Sequence, residues 1–195
     1  TDTRDARATS AQIKALEECG CQIVRIAVPD KEAAQAIPDI KRGVQVPIIA
    51  DNHVDRRLAL LAIEAGVDGL RINPGNISDP EQIKKIVLTA REREVPIRIG
   101  VNAGSLPPAK GAEKPVAERM VDAAMEQIKL LKSLDFELIK VSLKAFDVPT
   151  TIEANSAIAR KMPYPLHLGI TEAGTPKTGV IRSAVGIGTL LYMGI

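Results

Sequence analysis

Several apolar, β-branched runs of this chain carry a basic residue at their centre. They read Ile23-Val24-Arg25-Ile26-Ala27-Val28, Leu70-Arg71-Ile72-Asn73, Ile97-Arg98-Ile99-Gly100-Val101-Asn102, Ile139-Lys140-Val141-Ser142-Leu143-Lys144 and Leu166-His167-Leu168-Gly169-Ile170-Thr171. A single charge in a buried strand is costly, and its repetition from strand to strand points to cations converging on one anionic ligand. Arginine offers a planar fork matched to phosphate oxygens, and lysine a compact point charge. Two unit charges about 4 Å apart interact by about 4 kcal/mol at an effective dielectric of about 20, so such a cluster needs acids or an anion nearby. Asp51, Asp147 and Glu172 are the candidate internal partners. An internal ion-pair network, or arginines snorkelling at strand ends, is the structural alternative.

The turns after these runs suit the same chemistry. Asn73-Pro74-Gly75-Asn76, Asn102-Ala103-Gly104-Ser105 and Thr171-Glu172-Ala173-Gly174-Thr175 all follow strand ends. Glycine admits a close ligand, and clustered N–H groups form an anion nest, although βα turns are commonly rich in Gly and Asn without binding anything. His53, after Ala50-Asp51-Asn52, is an oriented acid, an anion contact or a structural hydrogen bond to a loop. His167 sits deeper in its run and reads as a satisfied interior residue, and neither histidine has metal-ligand spacing. Cys19-Gly20-Cys21 falls where a helix ends and a strand begins, and reads as packing rather than as a redox or metal site.

The elements that position these residues alternate. Strands are expected around Arg25, Ile49, Arg71, Arg98, Val141 and Leu168, each stopped by Pro, Gly, Asn or Asp. Helical spacing of apolar residues covers 11–18, 57–64, 80–92, 116–134, 150–161 and 180–192. Alternating βα units imply a parallel sheet with crossover helices. Strand parity then separates a barrel from an open sheet. Arg25, Asp51, His53, Arg71, Arg98, Asn102, Lys140, Lys144 and His167 share one face, while Val24, Ile26, Ile72, Ile99, Val101, Val141 and Leu143 occupy the other. Polar interiors with apolar outsides fit a TIM-type (β/α)8 barrel with its site at the carboxyl-terminal mouth of the strands. Six strands are expected in 195 residues, so one incomplete barrel domain spanning 1–195 is expected, its first and last strands lying outside the chain. The segment 107–115, with Pro107, Pro108, Gly111 and Pro115, is a candidate loop over the site.

Composition excludes several function classes. Apolar residues make up 45% and charged residues 26%, ordinary for a globular domain. A net charge of +2 and an aromatic content of 2% argue against nucleic-acid binding. No apolar run is long enough to cross a bilayer, and a cytoplasmic, reducing setting is expected.

The runs Thr1-Asp2-Thr3-Arg4-Asp5, Ala50-Asp51-Asn52-His53, Leu70-Arg71-Ile72-Asn73-Pro74-Gly75-Asn76-Ile77, Arg98-Ile99-Gly100-Val101-Asn102-Ala103-Gly104-Ser105-Leu106 and Leu166-His167-Leu168-Gly169-Ile170-Thr171-Glu172-Ala173-Gly174 come in this order. Together they closely resemble the 4-hydroxy-3-methylbut-2-en-1-yl diphosphate synthase family of the non-mevalonate isoprenoid pathway. The resemblance implies an iron–sulfur oxidoreductase that opens methylerythritol cyclodiphosphate to hydroxymethylbutenyl diphosphate, with ferredoxin or flavodoxin as electron donor and a homodimer as the assembly. It implies substrate contacts from Arg25, Arg71, Arg98, Asn102, Lys144 and Thr171, and polar or proton-handling roles for His53 and Glu172. The [4Fe-4S] cluster of the family belongs to a second domain whose ligands are absent from this chain, so no metal is expected here and the chain alone is expected not to turn over. Phe146 replaces a residue that is small in the family, and the 107–115 loop is shorter. Two other readings are another diphosphate-binding barrel enzyme of the pterin-binding synthase type and a non-catalytic anion-binding module.

Overall fold

The computed structural model describes residues 1–52, 56–72, 80–106 and 114–195. Strands and helices alternate: α1 (Ala6–Glu18), β1 (Val24–Ala27), α2 (Lys31–Gly43), β2 (Ile48–Asn52), α3 (Arg56–Glu64), β3 (Gly69–Ile72), α4 (Pro80–Glu92), β4 (Ile97–Asn102), α5 (Val116–Ser133), β5 (Ile139–Lys144), α6 (Val148–Ala159) and α7 (Pro176–Tyr192). Strand neighbours follow chain order, β1-β2-β3-β4-β5, which is what successive βα units produce. None of the described helices is long and apolar enough to cross a membrane.

The chain divides into two compact units. The first holds residues 1–98 and 134–138. In it β1 pairs in parallel with β2, and β2 with β3. The Leu70 N–H donates to the Pro96 carbonyl at 2.9 Å, and the Ile97 N–H to Leu138 at 2.9 Å, which brings the start of β4 alongside. Helix α1 packs on α2, α2 on α3 and α3 on α4. Ile37, Ile40, Ile48, Ile63, Leu70 and Ile86 are fully buried between helices and strands. Burial of each such side chain is worth about 1.5–3 kcal/mol. The second unit holds residues 99–133 and 139–195. Here α5 packs on α6 and α6 on α7, over a core that includes Ile99, Met120, Leu143 and Ile158.

Aspartates cap three of the helices. Asp5 caps α1 through Ala8 N–H, Asp30 caps α2 through Ala33 N–H and Asp147 caps α6 through Thr150 N–H, at 2.9, 2.9 and 2.8 Å. Two further acids tie strand entrances in the first unit. Glu17 Oε1 accepts the Gln45 and Val46 N–H groups at 2.8 and 2.9 Å. Asp68 accepts the Ile48 N–H at 2.8 Å through one oxygen and Lys41 Nζ at 2.7 Å through the other.

Two elements differ from expectation. Helix α2 forms over 31–43 although Pro38 lies inside it. The hydrogen bond that proline forfeits is offset by the Asp30 cap and by burial of Ala33, Ala34, Ile37 and Ile40. The strand expected around Leu168 reduces to a single parallel bridge, Val141 with Leu166. Val141 N–H bonds Pro165 O at 3.0 Å and His167 N–H bonds Val141 O at 2.8 Å, but the next acceptor, Leu143 O, takes Asn155 Nδ2 at 3.0 Å. The segment rejoins β5 only where Thr171 N–H meets Ala145 O at 3.1 Å.

Candidate functional site

Strand register builds the site in the first unit. Ala27 stands opposite Asp51, and Asp51 opposite Arg71. Arg25, two residues before Ala27, shares its face. Its side chain reaches along the strand, past a small alanine, to Asp51. Arg25 Nη1 lies 2.6 Å from Asp51 Oδ2, and Arg71 Nη1 donates to Asp51 Oδ1 at 3.0 Å. Each carboxylate oxygen therefore takes one guanidinium. The Asp51 and Arg71 side chains are each 7% exposed, whereas Arg25 is 50% exposed, so a buried pair carries a half-solvated outer arginine.

Arg98 joins from β4. Burial pushes its pKa below the usual arginine value, the charges of Arg25 and Arg71 push the same way, and Asp51 opposes them. Its Nε is buried and donates to no acceptor among the described residues. An unsatisfied buried donor costs about 1–3 kcal/mol, and more when charged. Among these four groups, three guanidiniums face one carboxylate, leaving two positive charges in excess. Such a set is chemically suited to an anion that presents several oxygens.

The second unit has its own strand-end groups. Lys144 ends β5, and a Cβ added to Gly169 would stand 2.9 Å from Lys144 Cε and 3.1 Å from its Nζ. The ammonium end of Lys144 thus lies on the bare backbone of Gly169. Asn102 ends β4 and is half-buried, and its carbonyl accepts Ser105 Oγ at 3.0 Å. Thr171 is half-buried, and Glu172 is exposed with φ 51°, a left-handed conformation that is uncommon outside glycine. Glu172 Oε1 lies 3.9 Å from where a Cβ on Gly104 would stand, so the turns after residues 102 and 170 are neighbours within this unit. The same left-handed conformation at Glu94 and Asp135 sits in turns that end helices, so at Glu172 it is not by itself a mark of function.

Of the residues expected at the site, Arg25, Arg71 and Arg98 gather around Asp51, while Asn102, Lys144, Thr171 and Glu172 belong to the second unit. His53, the 73–76 turn and most of the 107–115 loop lie outside the described residues. Asp147, expected as an acid partner of the cations, serves as the cap of α6. The Asp147-Val148-Pro149 run carries that signal, since proline favours the first helical turn. Phe146 is 60% exposed rather than packed. Gly169 was not singled out from the sequence, although its parity with His167 and Thr171 places it on the polar face.

The GcpE TIM-barrel domain family model matches residues 1–195. The chain is 67% identical over 195 residues to a Dehalococcoides mccartyi protein named 4-hydroxy-3-methylbut-2-en-1-yl diphosphate synthase (flavodoxin), covering 100% of this chain and 56% of that protein. A protein of the same name from Caldanaerobacter subterraneus subsp. tengcongensis is 54% identical over 203 residues, with 100% and 56% coverage. The chain thus spans about half the length of the curated relatives it matches, 56% in both cases. Among solved structures, a Coxiella burnetii dihydropteroate synthase in complex with pteroic acid superposes with a TM-score of 0.68 at 12% identity, over 97% of this chain and 78% of the other. The HMG-CoA lyase of Brucella melitensis gives 0.65 at 16%, over 95% and 69%. At such identities the likeness shows the fold alone, an α/β barrel architecture. With its whole length matched by the family model, the chain belongs to the GcpE TIM-barrel family.

Proposed function

We propose that this chain is the substrate-holding barrel of an enzyme that reductively opens methylerythritol cyclodiphosphate to hydroxymethylbutenyl diphosphate in isoprenoid biosynthesis. Flavodoxin is the proposed electron donor, in keeping with the relatives' printed name, and a second copy of the protein the proposed partner subunit. The observation that carries the reading is the arginine cluster: Arg25 and Arg71 held on Asp51, with the half-buried Arg98 beside them lacking an acceptor at its buried Nε among the described residues. A diphosphate supplies the missing oxygens and offsets the excess charge. Lys144, Asn102 and Thr171 are assigned further substrate contacts, and His53 and Glu172 proton handling. In the reaction the ring carbon–oxygen bond to phosphate breaks and the phosphate leaves as an anion, a neighbouring hydroxyl takes a proton and leaves as water, and two electrons from the donor complete the carbon–carbon double bond between the two carbons.

The iron–sulfur cluster that the resemblance implies does not fit the described residues. Cys19 and Cys21 flank Gly20 at the end of α1, and Cys21 Sγ lies 3.3 Å from Ile23 O. No group of three or more His, Cys, Asp and Glu side chains able to hold a metal ion occurs among the described residues. The work proposed for this chain is to bind and orient the diphosphate.

Turnover of methylerythritol cyclodiphosphate by the complete protein with reduced flavodoxin tests the proposal. Arg98→Ala should lower kcat/KM at least tenfold, as for a lost charge-assisted contact of about 1.4 kcal/mol. A complete protein that binds the cyclic diphosphate without reducing it would be an anion-binding module, and the proposal would fall.

A further inference from the structure

We infer that Asp51 is a positioning residue: by holding Arg25 on one carboxylate oxygen and Arg71 on the other, it fixes the spacing of two guanidiniums, so that a negative side chain strengthens an anion site. The inference rests on the diphosphate reading above and gives Asp51 a role that acts through its two arginines.

The geometry carries it. An arginine that is half exposed, as Arg25 is, has a long flexible stem and free access to water. Nothing in its own strand holds its head over the sheet, because its same-face neighbour Ala27 offers only a methyl group. The 2.6 Å contact with Asp51 Oδ2 supplies that hold. Asp51 is in turn buried, and the 3.0 Å bond from Arg71, its partner in register on β3, fixes its orientation. The carboxylate thus transmits the strand spacing of β2 and β3 to a long, half-exposed arginine on β1. Without it, like charges on Arg25, Arg71 and Arg98 would push the exposed member outward first. A bound anion would then have to gather the arginines itself, and the ordering cost would come out of its affinity.

A counter-charge role and a positioning role predict opposite signs. If Asp51 merely offset positive charge, removing it would tighten anion binding. If it positions, removal weakens binding although the site gains a positive charge. Calorimetric titration of inorganic pyrophosphate into the complete protein separates them. Asp51→Asn should bind at least fivefold more weakly than wild type. Arg25→Ala should cost at least tenfold in the wild type but less than threefold in the Asp51→Asn background, because Asp51 acts through Arg25. Asp51→Glu keeps the charge and shifts both oxygens by one methylene, so it should also weaken binding, and it serves where Asp51→Asn does not fold. Unchanged or tighter binding in Asp51→Asn or wild-type affinity in Asp51→Glu would overturn the inference, and so would an undiminished cost of Arg25→Ala. Failure of the wild type to bind either pyrophosphate or the cyclic diphosphate would instead remove the diphosphate reading, and this inference with it.

Discussion

Arg98 carries a positive charge in a half-buried setting next to two more, and its buried Nε has no acceptor among the described residues. That arrangement is poor for stability and good for binding an anion. Arg98→Met should therefore leave the ligand-free protein as stable as wild type or more stable, by about 1 kcal/mol, while diphosphate binding falls at least tenfold. Thermal melts with and without pyrophosphate read both effects, and a clearly lowered melting temperature would mean that the arginine is structural. Gly169 offers a cleaner separation. The atoms a new Cβ would meet are the far end of Lys144, which is flexible, so Gly169→Ala should fold normally and displace the ammonium. Its melting temperature should stay near wild type, with diphosphate affinity reduced several-fold in titration, and equal affinity would show that Lys144 makes no contact. At this scale the arginines were legible because strand parity alone puts Arg25, Arg71 and Arg98 on one face. The role of Gly169 was not, because it depends on where a lysine from another strand lays its end.

Elements divide their acids by strand end. At the strand entrances of the first unit Glu17 and Asp68 hold backbone N–H groups, while the arginines lie further along the strands. The two N–H groups of Val46 and Gln45 keep the Glu17 carboxyl below its ordinary value of 4.5. Its contribution to stability is therefore present above about pH 4.5 and is lost as pH falls through the lower folded-state value. Glu17→Gln should melt below wild type at neutral pH, and the difference should vanish in acid. A pH-independent difference in melting temperature would show that the charge is irrelevant. Helix α2 and the sixth expected strand, reduced to one bridge, mark where local pattern gave way to tertiary contacts. A proline inside an amphipathic segment reads as a break, yet a cap and a buried face outweigh one lost hydrogen bond. The run around Leu168 has the apolar alternation of a strand, yet Asn155 takes the carbonyl that its ladder would use.

For the whole chain, alternation of elements and the polar parity of the strands were enough to indicate a barrel architecture, and the family model spans all 195 residues. The cationic residues expected at one site lie in two compact units, the arginines in the first and Lys144 in the second. In the proposed reading these cations bind a diphosphate. Calorimetric titration of methylerythritol cyclodiphosphate into the complete protein, repeated at two salt concentrations and with Arg98→Ala and Lys144→Ala, tests it most directly. Binding should weaken with salt and fall at least tenfold, about 1.4 kcal/mol, in each variant. Wild-type affinity in both variants would contradict it.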